Sequence, residues 1–190
     1  MRERYAKNSP RWRILHGSAL DSQFLATLGN FDVVFSLGVL HHTGAMWNAI
    51  HNVLLMASRN GLLFQALSND QGVRSRRWLR IKHVYCAAKI GKLAVSAVFV
   101  PWWTFRSCLA DVVRGRAPWH SLATYGKNRG MSAWHDWHDW LGGYPFEAAK
   151  PEAIILPIQK AGFSLQNLNT QYGSVGCVEY VFRRELLRDG

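Results

Sequence analysis

Acidic residues are scarce: twelve Asp and Glu stand against 23 Lys and Arg, a net charge of +11 with histidine neutral. The deficit is local as well as global. No acid occurs between Gln71 and Ala110, a stretch that holds Arg74, Arg76, Arg77, Arg80, Lys82, Lys89, Lys92 and Arg106. Such an imbalance points to anionic partners, whether nucleic acid, an acidic membrane surface or anionic small molecules; the plainer alternative is a solvated basic face. Cysteine is equally sparse. Cys86, Cys108 and Cys177 are dispersed with no paired spacing, which argues against a disulfide framework and a zinc site and fits a reducing compartment. The segment Met1-Arg-Glu-Arg-Tyr-Ala-Lys7 has no apolar leader core. No apolar run approaches the roughly 18 residues of a bilayer span, so the expected location is cytoplasmic.

What is present is a folded domain's composition, with 48% hydrophobic residues and nine Trp. One domain is expected at 190 residues. The organising stretch is Phe31-Asp-Val-Val-Phe-Ser-Leu-Gly-Val-Leu-His-His42. Val33, Val34 and Phe35 are apolar on both faces, which predicts a parallel strand covered by helices on both sides. The chain then turns small and polar at Ser36 and Gly38. In open α/β sheets ligands sit at the carboxyl ends of such strands, so Ser36 to His42 is expected to face a ligand.

Around it, Trp12–Leu15 reads as a short strand, and Asp21 or Ser22 as the cap of a helix from Gln23 to Leu28. Met46, Ile50, Val53 and Leu54 recur at helical spacing within Ala45–Ala57, and Arg59-Asn60-Gly61 supplies a stop. Gly61–Leu67 is the next strand. Lys150-Pro-Glu152 opens a helix that runs to Gly162. Phe163–Leu168 and Cys177–Arg183 form a plausible antiparallel pair. Residues Met1 to Pro10 read as the tail of a helix.

Phe31–His42 with Thr43-Gly44-Ala45-Met46-Trp47 resembles the fourth strand and following loop of class I S-adenosylmethionine-dependent methyltransferases, closest to the branch that methylates small molecules and quinone precursors. Leu63-Phe64-Gln65 to Asn69-Asp70-Gln71-Gly72 is similar to that family's fifth strand and loop. The resemblance implies an α/β fold: a partial Rossmann-like methyltransferase sheet, the third to seventh strands, with a helical insertion. Residues 1–72 and 131–190 would be core, and 73–130 a basic, aromatic insertion.

The resemblance also implies roles. Ser18, Ala19, Leu20 and Asp21 match the segment that brackets the donor's adenine, where a carboxylate accepts from the exocyclic amine; as a bare residue Asp21 is equally a helix cap. Ser36, Leu37 and Gly38 would lie beside the donor's methionine portion. His41 and His42 follow, and a neutral imidazole there suits a base that takes the proton of an acceptor hydroxyl. Trp47, Asn69, Asp70, His135, Gly143 and Tyr144 would line the acceptor side. In Trp134-His-Asp-Trp-His-Asp139, a spacing of three puts Trp134, Trp137 and Trp140 on one stripe. The interleaved His and Asp invite a metal reading, but no diagnostic ligand motif accompanies them and no metal is expected.

The family's glycine-rich turn after its first strand, and the acidic residue ending its second, are missing from this sequence. The chain is therefore expected to start within the fold, to bind S-adenosylmethionine poorly by itself, and to keep a sheet of the fourth, fifth, seventh and sixth strands. Val33–Phe35 would then be an open apolar edge, prone to strand-pairing self-association. Two readings result. The first is methyl transfer to a small-molecule acceptor by an incomplete catalytic chain. The alternative is a non-catalytic basic module that binds RNA or an anionic membrane surface, with peripheral membrane contact through Arg74–Trp103. No RNA-binding motif is recognisable, so a nucleic-acid partner is not expected.

Overall fold

The computed structural model describes residues 13–170 and 176–185. Among them it is a mixed α/β structure with one four-stranded mixed sheet and seven α-helices. Asp21 caps the first helix, α1 (Ser22–Leu28), its carboxylate accepting from the Phe24 N–H at 2.9 Å. Strand β1 (Phe31–Leu37) leads through a single 3-10 turn (Leu40–His42) into α2 (Met46–Leu55) and then β2 (Ala57–Ser68). A helical group follows: α3 (Val73–Ala87), α4 (Lys89–Val113), α5 (His120–Arg129) and α6 (Ala133–Gly142). Helix α7 (Pro151–Lys160) and strands β3 (Phe163–Asn169) and β4 (Cys177–Arg184) complete the described chain.

The sheet order is β1-β2-β4-β3, with β1 and β2 parallel and the other pairs antiparallel. Among the described residues four strands are present, not five. Arg13–Leu15 form no strand; Trp12 and the expected helix tail at Met1 to Pro10 lie outside the described residues. The expected fourth-fifth-seventh-sixth order leaves Arg13–Leu15 without a neighbouring strand, which is the physical reason. Strand β2 begins earlier than its sequence suggests: Asn60 takes the left-handed conformation expected of Asn60 or Gly61, at φ 63°, but inside the strand and not at a helix stop. The pairing there jumps from Phe31–Ala57 to Val33–Leu62, so Ser58 to Gly61 bulge out.

Helices α2 and α7 cover one sheet face. Ile50, Val53, Ile154 and Ile158 pack there with Leu63, Leu67, Tyr180 and Phe182, all buried. Val34 packs against this core from the same side. The expectation that β1 is covered on both faces is corrected: Phe31, Val33, Phe35 and Leu37 are exposed, with Phe35 stacked on Phe64 of β2 at 4.8 Å. No described helix lies over that side. Gln65 sits fully buried with neither amide atom hydrogen-bonded, and nothing among the described residues accounts for it.

The helical group stands at the carboxyl end of the parallel strands. Helices α3 and α4 form a hairpin whose backbones come very close: a Cβ at Gly91 would lie 2.1 Å from the Val84 carbonyl oxygen, a contact only glycine permits. Trp103 of α4 packs on Trp137 and Trp140 of α6, and Trp78 of α3 packs edge-on to Trp140. Two of the three stripe tryptophans are thus interior to this group, whereas Trp134 is exposed and lies against His138. Buried Asp111 joins α4 to α5 by accepting from the Ser121 N–H at 2.8 Å and hydroxyl at 2.5 Å. These bonds hold its pKa below the usual carboxylate value. Helix α4 also revises the expectation that nothing is long enough to cross a bilayer. It runs for 25 residues and contains an 18-residue window with a mean hydropathy of 1.3, which suffices by length and composition.

Candidate active site

A cavity of about 230 Å³ opens where β1 and β2 end. Gly38, His41 and His42 reach it from the β1 side, and Ser68 and Asn69 from the end of β2. Lys82 of α3, Trp140 of α6 and the loop residues Gly143 and Phe146 enclose it from the helical group.

The histidine pair is locked by the loop that follows α6. The Pro145 carbonyl faces His42 Nδ1 at 2.8 Å. A carbonyl only accepts, so Nδ1 carries the proton and Nε2 keeps the free lone pair. The Glu147 N–H donates to the His41 carbonyl at 2.9 Å, while the Glu147 carboxylate accepts from the Met46 N–H at 2.9 Å. That carboxylate therefore sits at the N-terminus of α2, where the helix dipole favours negative charge. Phe146 lies 6.1 Å from the His41 ring and 5.9 Å from the His42 ring.

His41 and His42 differ in environment. His41 is 3% exposed, and its Nδ1 has no hydrogen-bond partner among the described residues. Burial first, then the neighbouring charges of His42 and Lys82, pull its pKa down to about 4. It is neutral at physiological pH and a weak proton acceptor. His42 presents its Nε2 toward the cavity wall at Gly143.

Lys82 is the other unusual group. It is 3% exposed, donates to the Trp140 carbonyl, and holds its ammonium 4.4 Å from the Trp140 ring centre and 5.2 Å from that of Phe146. Burial pushes its pKa down to about 8, with Cys86 and Asp139 opposing the shift. Gly143 marks where the two functional groups converge. The position of a Cβ there would be 3.2 Å from Lys82 Nζ and 3.3 Å from His42 Nε2. A base and a cation are thus neighbours on the cavity wall at Gly143, an arrangement suited to removing a proton and stabilising the oxyanion left behind.

Of the residues singled out in the sequence, Gly38, His41, His42, Asn69 and Gly143 come together here. Trp47 and Asp70 line an adjoining recess that shares Ser75 and Phe146. Tyr144 is outside the cavity, edge-on to His83 at 5.2 Å, and His135 Nδ1 pairs with the cap residue Ser132 at 2.6 Å. Asp136 and Asp139, not His135 and His138, are the polar residues of the tandem triplet that line the cavity. Among the described residues no group of three His, Cys, Asp or Glu is placed to hold a metal.

On the donor side, Ser36 is half-buried and Leu37 lies on the bare sheet face. Ser18 Oγ accepts from the Leu20 N–H at 3.1 Å, and the Ala19 carbonyl accepts from Asn52 at 3.0 Å. None of Ser18, Ala19, Leu20 and Asp21 lines the cavity. Sequence reading missed Lys82 and Trp140 as site residues, because nothing in the spacing separates Lys82 from the other cations of its run.

The depressed His41 pKa has a measurable consequence. In the unfolded chain an ordinary histidine binds its proton near pH 6.5, but the folded state resists it down to about pH 4. Stability is therefore expected to fall as pH drops through that window. Chemical denaturation at pH 7, 5.5 and 4.5 should show the loss, and His41→Leu should flatten it. An NMR titration that places the His41 midpoint near 6.5 would contradict the buried environment.

No model of a known protein family matches this chain, and no curated protein matches it either.

Proposed function

We propose that this chain supplies the acceptor side of S-adenosylmethionine-dependent methyl transfer to a small molecule bearing an ionisable hydroxyl. The observation that carries the reading is that His42 Nε2 and Lys82 Nζ both lie against Gly143 in the wall of one cavity. His42 takes the hydroxyl proton on Nε2, the Pro145 carbonyl holding the tautomer that leaves this nitrogen free. Lys82 stays cationic below about pH 8 and draws the acceptor toward its anionic form. Trp140 and Phe146 offer the apolar and aromatic surface that an acceptor ring would pack on. The strand order β1-β2-β4-β3 agrees with the order implied for the fourth, fifth, seventh and sixth strands of a Rossmann-like methyltransferase sheet.

The donor side does not assemble among the described residues. Asp21 spends one carboxylate oxygen on capping α1, Ser18 is turned to its own loop, and neither meets Gly38 around a shared cavity. When bound, the donor supplies an electrophilic methyl group, and the residues present here prepare only the nucleophile. The test is calorimetric titration with S-adenosylmethionine of this chain and of a version extended by a glycine-rich strand-turn-helix segment. Binding is expected for the extended version alone. Binding by neither overturns the assignment.

A further inference from the structure

Helix α4 has two opposite faces. Phe99 and Trp103 turn inward against Trp78, Trp137 and Trp140. On the other side Ile90, Val98, Trp102, Phe105, Leu109 and Val112 are all more than half exposed, Ile90 reaching 78% and Phe105 61%. Ala94, Ala97 and Pro101 fill the gaps between them and are exposed too. The spacings of three and four make one uncharged stripe, about 33 Å long at 1.5 Å per residue. Exposed apolar surface of this extent marks an interaction site.

The charges around the stripe select its partner. Lys89 and Lys92 are exposed in its first turn, Arg106 stands beside it, and Arg114 and Arg116 follow its end. Arg77 and Arg80 are exposed on the paired helix α3. Asp111 is the first acid met after Asp70, and it is buried and bonded to Ser121. The accessible surface of this hairpin is therefore purely cationic around an apolar strip that carries a Trp. That is the pattern of a helix lying in the headgroup plane of an anionic bilayer.

Two other geometries fit less well. A spanning helix would be apolar all round, whereas α4 is packed on one side and carries Lys92, Arg106 and the buried Asp111. A coiled-coil seam is narrower than this stripe and does not accommodate Pro101 at its centre.

We infer that the α3–α4 hairpin docks the protein on an anionic membrane surface, with the Ile90–Val112 stripe inserted among the lipids and the surrounding Lys and Arg on the headgroups. Docking requires nothing of the methyl-transfer reading.

Co-sedimentation of the full chain with vesicles of phosphatidylcholine containing 30% phosphatidylglycerol tests this, beside pure phosphatidylcholine vesicles. Binding is expected only to the anionic vesicles. It should weaken by roughly fivefold for each of Arg77→Gln and Arg80→Gln, and by at least tenfold for Phe105→Glu. These positions are exposed, and unchanged circular dichroism and melting will show that the variants fold. Absence of vesicle binding overturns the inference. So does binding to poly-uridine RNA without binding to vesicles, or a dimer, without vesicle binding, that Phe105→Glu dissociates. Equal binding to the neutral vesicles removes the role assigned to the cations.

Discussion

Replacing His42 with alanine is expected to lower methyl transfer by about 10²-fold or more in a catalytically complete assembly, with acceptor binding changed far less. The expectation rests on which nitrogen is free. The Pro145 carbonyl at 2.8 Å fixes the proton on Nδ1, so the unshared pair of Nε2 is the only basic site of that ring. His41 cannot substitute for it. A ring whose pKa lies at about 4 has little affinity for a proton drawn from a hydroxyl. Gly143→Ala should reproduce much of the loss without deleting any functional atom. Its new Cβ would fall 2.8 Å from His42 Cε1, well inside contact distance, and either the ring or the loop must move. The backbone there, at φ −71°, accepts alanine without strain, so the effect reports crowding of His42 and of Lys82, whose Nζ is 3.2 Å from the same position. Steady-state rates with a phenolic probe such as catechol separate the possibilities. Unchanged turnover in His42→Ala would end the assignment of this residue as base.

How much of this was legible beforehand depends on the range of the signal. Local chemistry was readable. Asp21 caps α1, Lys150-Pro-Glu152 opens α7, and the antiparallel pairing of β3 with β4 follows from two apolar runs joined by a glycine-rich connection. The parallel pairing of β1 and β2, and the approach of His41, His42 and Gly38 to one cavity, were also implied by runs ending in small polar residues. What sequence periodicity misjudged was covering. Val33 and Phe35 have the composition of a strand buried on both sides, yet burial depends on elements elsewhere in the chain, and the described helices reach one face only. The same limit applies to Lys82. As one of eight cations in an acid-free stretch it has no distinguishing neighbour; its burial arises because α6 and the Gly143–Phe146 loop fold back over α3. Long-range packing, and not local pattern, turns a surface cation into a site residue.

Lys82→Met provides the sharpest separation of function from stability. A buried ammonium is costly, and exchanging buried charge for an apolar side chain of similar length is commonly neutral or stabilising by about 1–4 kcal/mol. Against that, the Trp140 carbonyl near the end of α6 loses its donor, at about 1–3 kcal/mol. These opposing effects are of similar size, so at pH 7 the variant is expected to stay within about 1 kcal/mol of the parent. The pH dependence will differ. In the parent, the folded lysine releases its proton near pH 8 whereas the unfolded one holds it to about 10.5. The unfolded state thus binds more protons across that window, and stability rises with pH through it. Lys82→Met should lack this rise and be the less stable protein at pH 10. Its effect on chemistry should be large at every pH where the parent lysine is charged. Removing a preorganised cation beside a developing oxyanion should cost about 10²-fold in turnover, and the parent's own turnover should decline above about pH 8 as Lys82 deprotonates. A lysine that served only to cap α6 would give the reverse pattern: a clear loss of stability at pH 7, no separate rise toward pH 10, and full activity in whatever fraction remains folded. Denaturation curves at pH 7 and pH 10, read beside rates corrected for folded protein, decide between the two.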